Sequence, residues 1–182
     1  MSLDMARMRS LAELGFPGFL AGLIGGVVAG GLTAVAGQTP AWALTAMVTL
    51  GLPLGLFGMG YGLLVVKGIA RPGTFAPAAL FWLIGFPLSR LLQEVLTRAV
   101  VVGEPGLPPD LLGFFAYQGI VSAGFAIGFL WMHERIAPQW WRKVADRNPD
   151  AGAVFQRYVA HSRLLYEQRE QRRKARAARA RR

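Results

Sequence analysis

The chain has 182 residues, of which 53% are hydrophobic and 16% charged, with a formal net charge of +10. Soluble domains carry about a quarter charged residues, so the composition falls outside the usual soluble balance and points to helices in lipid. Cysteine is absent, which excludes disulfides, thiolate metal sites, iron–sulfur clusters and CxxCH haem attachment.

Residues 1–15 mix Met, Arg, Ser and Leu before the long apolar run begins. They read as a short cytoplasmic segment, either an amphipathic helix on the membrane surface or a frayed terminus that supplies positive charge. From 14 to 66 the chain runs 53 residues without a charge and holds 13 of its 23 glycines. One crossing takes about 20 apolar residues. The stretch therefore predicts two spans, 16–36 and 41–66, joined by Gly37-Gln38-Thr39-Pro40. Arg7, Arg9 and the small-residue run Ala34-Val35-Ala36 have the elements of a secretory signal. The run passes at once into a second span, which favours an uncleaved first helix.

In the first span Gly18, Gly22, Gly26 and Gly30 recur every fourth residue, and in the second Gly51, Gly55, Gly58 and Gly62 share a face. Each glycine weakens a helix in water by about 1 kcal/mol relative to alanine, whereas in a membrane it lets a second backbone come close. These positions, with Gly124 and Gly128 further on, are assigned to helix-packing interfaces. Two adjacent helices with small faces joined by four residues predict an antiparallel, closely packed hairpin. Three such faces exceed what four helices need among themselves, which predicts partner helices or a tight oligomer. Pro53 predicts a bend, because it cannot donate to the carbonyl of Thr49.

Lys67, Arg71 and Pro72-Gly73 form a basic turn before the third span, 76–97, which Arg90 interrupts. Helical spacing sets Arg90, Glu94 and Arg98 at i, i+4 and i+8 on one side, just after a bend at Pro87. The loop GEPGLPPD at 103–110 ends on Asp110, a candidate N-cap. The fourth span, 111–132, carries Tyr117 and Gln118 near its start, Gly124 and Gly128 four apart, and Trp131 at its edge.

Residues 133–182 are expected to form an interfacial segment and then a basic amphipathic tail. Trp140, Trp141, Arg142 and Lys143 are assigned to the cytoplasmic headgroup layer. Asn148-Pro149 is a helix start, since asparagine caps free amides and proline at the first position loses nothing. An apolar stripe of Val154, Phe155, Tyr158, Val159, Leu165 and Tyr166 follows, and 168–182 then holds eight basic residues against one glutamate.

The fold class is thus all-α: a polytopic membrane protein of four transmembrane helices with a basic cytoplasmic helical tail. Arg7, Arg9, Lys67, Arg71, Arg135, Arg142 and Lys143 fall on one side of this arrangement, while the opposite loops hold Thr39, Glu104 and Asp110. The positive-inside rule then predicts that both termini are cytoplasmic. Richness in alanine, glycine, arginine and proline, with short loops, fits a bacterial inner membrane.

The most informative polar group is Arg90, Glu94, Arg98, Gln118 and Tyr117. Helix rise sets Arg90 and Gln118 at a common depth of about 10 Å. Either they line an outward-facing cavity for a headgroup, a quinone edge or a solute, or Arg90 and Glu94 form an ion pair that snorkels to the interface or meets a partner subunit. Haem is not expected, because His133 sits at the cytoplasmic edge and His161 in the tail. Ligand-spaced clusters, a Walker loop and GxSxG are missing, so no metal, cofactor or catalytic residue is assigned. The tail suits anionic lipid or a soluble cytoplasmic partner, which are favoured over RNA because no stacking aromatics follow Tyr166.

Together these features predict a non-catalytic accessory, assembly or scaffold subunit of a larger integral membrane complex, with other membrane subunits as partners. The alternatives are a small oligomeric channel or transporter with its polar site near Arg90, and a small enzyme or binding protein acting on lipid.

Overall fold

The apolar runs become helices because a backbone in lipid must satisfy its own hydrogen bonds. The computed structural model describes residues 2–179, so the last two arginines of the basic tail, Arg181 and Arg182, lie outside the described residues. Five helices follow in order: α1 (Ser2–Val35), α2 (Pro40–Val66), α3 (Phe75–Val101), α4 (Leu111–Val144) and α5 (Pro149–Arg179). The first four are long and apolar enough to cross a membrane, as the hydropathy pattern predicts.

Local chemistry sets the ends. Thr39 Oγ1 accepts from the Trp42 amide at 3.4 Å to cap α2, and Asp110 Oδ1 accepts from the Gly113 amide at 2.9 Å to cap α4. The expected start of α5 is also present: Asn148 Oδ1 accepts from the Ala151 amide at 3.4 Å, directly before Pro149. At the other end of α2 the chain turns on Gly68 with φ of +76°, a left-handed conformation that favours glycine. The Gly68 amide donates to Val65 and the Ile69 amide to Leu64, which closes the last carbonyls.

Two helices run across the expected segment boundaries. α1 is continuous from Ser2 through Pro17 into the first span. Likewise 133–144 forms the final third of α4, which continues through Pro138. The reason is packing: Ala126, Phe129, His133, Ala137, Trp141 and Val144 recur at three- and four-residue intervals and are all buried, so one seam carries the helix past its proline. Trp141, assigned to the headgroup layer, is fully buried; Trp140 is half-buried, while Arg142 and Lys143 are exposed.

At 1.5 Å per residue, 27-residue helices such as α2 and α3 span about 40 Å, and the 34-residue α1 and α4 about 50 Å. The hydrocarbon layer is about 30 Å thick. The surplus of α1 and α4 emerges at the same end of the bundle, where it meets α5 in a second, smaller layer. An aromatic series joins the two layers: Trp82 lies 4.6 Å from Phe129, Phe129 5.7 Å from His133, His133 5.9 Å from Trp141, and Trp141 5.6 Å from Tyr158, between ring centroids.

The second layer is tied to α1 through the prolines. Pro17 has no N–H, so the Glu13 carbonyl one turn earlier loses its helical donor. Trp140 Nε1 donates to that carbonyl at 2.7 Å, and Trp141 Nε1 donates to the Leu14 carbonyl at 3.0 Å. On α5, Ala151, Val154 and Tyr158 are buried, whereas Leu164, Leu165 and Tyr166 are exposed. The first half of the apolar stripe therefore docks, and its second half does not.

Candidate functional site

The glycine faces of α1 and α2 are consumed by each other. A Cβ added at Gly18 would strike the Gly58 carbonyl, at Gly22 the Leu54 carbonyl, and at Gly26 the Gly51 backbone, while at Gly30 it would press on Met47 and Ala43. Gly55 receives the Phe19 ring, and Gly62 faces Gly15. Eight of the ten assigned glycines thus pack inside the hairpin. This is the closely packed hairpin that two small faces joined by four residues predict. Gly124 and Gly128 differ: both are exposed on α4, and a Cβ added at either would meet nothing within 4 Å.

At the end of the bundle away from α5, a cavity of about 410 Å³ opens between α1, α2 and α3, lined by Thr33, Gln38, Trp42, Ala46, Arg90, Gln93, Glu94 and Thr97. Its volume lies within the about 300–1,000 Å³ typical of small-molecule sites. Arg90 and Glu94 line it together, but among the described residues no ion pair joins them. Below them a polar seam holds α3 to α2. Thr49 Oγ1 donates to the Thr45 carbonyl at 2.7 Å and lies 2.8 Å from Thr97 Oγ1, and Gln93 Nε2 donates to the Ala46 carbonyl at 3.4 Å.

Three of the five assigned polar residues stand outside this cavity. Arg98 is exposed, with its guanidinium against Gly106 of the α3–α4 loop. Tyr117 is 64% exposed, and Gln118 is buried on α4 in line with Ser122 and Ala126. Tyr117 and Gln118 belong to α4, which does not line the cavity; for Arg98 the reason is helical phase, since at about 100° per residue it is turned about 80° from Arg90, whereas Thr97 is turned only about 20°. Sequence reasoning passes over Gln93 and Thr97, yet the 3.6-residue period points to both once Arg90 is taken as the reference.

The opposite end holds two further polar groups. Glu13 receives Arg147 Nε at 2.9 Å, Asn148 Nδ2 at 3.3 Å and Arg9 Nε at 3.5 Å, beside a cavity of about 270 Å³. Its charges satisfy one another, which is the arrangement of a structural brace. Next to it Tyr158 donates to Glu134 at 2.9 Å, and burial, aided by the Glu134 charge, holds the Tyr158 hydroxyl well above the usual phenol range.

His133 is fully buried inside the bundle. Its Nδ1 lies 3.6 Å from Glu134 Oε1, beyond direct hydrogen-bond reach, and neither ring nitrogen has a partner. Tyr61, 5.4 Å away between ring centroids, also buries an unpartnered hydroxyl. The sequence signal was the buried seam of α4, hidden by the assumption that α4 stops at residue 132. Among the described residues no group of three or more His, Cys, Asp or Glu is placed to hold a metal ion.

Comparison with known proteins finds no matching family model, no similar curated protein and no similar solved structure.

Proposed function

We propose that this multi-pass membrane protein is an accessory or assembly subunit of a larger integral membrane complex, without catalytic activity of its own. The observation that carries this reading is the outward face of α4. Only 17% of its most apolar window is buried, against 50% for α2. On that face Gly124 and Gly128, one turn apart, have no neighbour, and Ile120, Ile127 and Trp131 flank them, all exposed. Glycine is a poor helix former, so two of them on an open face are best accounted for by a second helix that approaches closely there. The partner is therefore a transmembrane helix of another subunit.

The proposed setting is a bacterial inner membrane with both termini in the cytoplasm. Arg7, Arg9, Lys67, Arg71, Arg135, Arg142 and Lys143 cluster at the α5 end, and the opposite loops carry Glu104 and Asp110. The exposed second half of α5, with Arg169, Arg172, Arg173 and Arg176, would then rest on anionic lipid or meet a soluble partner.

Photo-crosslinking in native membranes tests the partner reading. A probe at Ile120 or Ile127 is expected to give one defined protein adduct that Gly124→Leu abolishes. Probes at Leu80 or Ile84, exposed on α3, are expected to give lipid adducts only. Lipid adducts alone from α4 would overturn the proposal.

A further inference from the structure

The cavity between α1, α2 and α3 has hydrogen-bonding capacity that the protein does not use. Arg90 and Glu94 both line it, and among the described residues neither takes part in a side-chain hydrogen bond or an ion pair. Ionisable side chains at membrane depth normally pair or serve a ligand. Helix rise sets them about 6 Å apart along α3, on one wall of the same space.

Gln93, on the same wall, ties α3 to α2 and is not free to neutralise either charge. It is 6% exposed. Because the Ala46 carbonyl can only accept, the atom facing it is the donor Nε2, which fixes the amide orientation. Oε1 is thereby left buried without a donor, although buried acceptors nearly always have one.

Arg90 and Glu94 define the ligand. A simple cation would suit Glu94 but meet Arg90, and a simple anion would suit Arg90 but meet Glu94. A quaternary ammonium has no N–H to give the Glu94 carboxylate. We infer that the cavity binds a zwitterion with a phosphate-type oxyanion and a primary ammonium a few bonds apart, the chemistry of phosphoethanolamine. Arg90 takes the oxyanion through its forked donors, and Glu94 takes the ammonium. Trp42 and Gln38 border the mouth, at the level where indoles favour the membrane interface.

The test is native mass spectrometry of the full chain in mild detergent with equimolar phosphatidylethanolamine, phosphatidylcholine and phosphatidylglycerol. One phosphatidylethanolamine is expected to remain bound, with at least tenfold preference over the other two. Glu94→Gln, which keeps side-chain size, is expected to reduce the preference over phosphatidylglycerol to less than threefold, and Arg90→Leu to remove retention of all three. A parallel titration with soluble O-phosphoethanolamine separates the sources. Displacement of the lipid at millimolar concentration identifies the headgroup alone as sufficient, and lipid retention without displacement identifies the membrane lipid as the ligand. Equal retention of the three lipids without phosphoethanolamine binding, or an unchanged preference in Glu94→Gln, overturns the inference.

Discussion

Pro17 illustrates how one residue sets a contact between Glu13 and Trp140, 127 positions apart. By lacking an N–H it frees the Glu13 carbonyl, and Trp140 Nε1 fills the gap at 2.7 Å. Trp140 also packs its ring 4.4 Å from Phe16, so Trp140→Phe keeps an aromatic there but orphans the carbonyl. An orphaned acceptor at such a site costs about 1–3 kcal/mol. In a Pro17→Ala background the substituted alanine supplies its own backbone N–H, so Trp140→Phe is expected to cost less, by at least about 0.5 kcal/mol of coupling. A double-mutant cycle of unfolding in mixed micelles reads this directly, and additive costs would contradict it. Arg90 carries the opposite lesson. The nearness of Glu94 was legible in the sequence, but the row drawn through Arg98 drifts around the helix, and Gln93, which has no charge to attract notice, also lines the cavity.

At the scale of elements, the glycines of the hairpin and those of α4 have one chemistry and two situations. Around Gly22 the space is filled by the Leu54 carbonyl, which belongs to a helix backbone and cannot turn aside. Gly22→Ala is therefore expected to destabilise the purified protein by about 1–3 kcal/mol, the usual cost of overpacking. Gly124 has open space, so Gly124→Ala should leave stability unchanged or raise it by up to about 1 kcal/mol through helix propensity. Thermal unfolding of the two purified variants distinguishes them. The four-residue turn made it legible that the α1 and α2 stripes face each other. Spacing could not tell whether the α4 stripe is covered, because an inward and an outward stripe share one pattern. The same blindness shortened α4: Trp131 at the edge of the apolar run and the charges that follow it suggested an end at 132, while the buried seam from Ala126 to Val144 depends on what α1 and α5 place opposite it.

For the whole molecule, helix lengths build a two-layer body. The surplus turns of α1 and α4 project at one end and accept the first half of α5 around Trp141, Val154 and Tyr158. With the proposed orientation this layer is cytoplasmic. An alkaline phosphatase reporter inserted after Glu104 is then expected to be active, and one fused after Arg147 inactive; the reverse pattern would invert the topology and the assignment of the tail. Four spans, their order, the caps at Asp110 and Asn148 and the clustering of charge at one end were determined by the sequence itself, since length, hydropathy and capping act within a few residues of the chain. Which glycines meet, how far α1 and α4 run, that His133 is buried and that Gln93 joins Arg90 and Glu94 in one cavity were decided only by the tertiary structure. Those features depend on rotation about each helix axis, and that rotation is set by the neighbours a helix packs against.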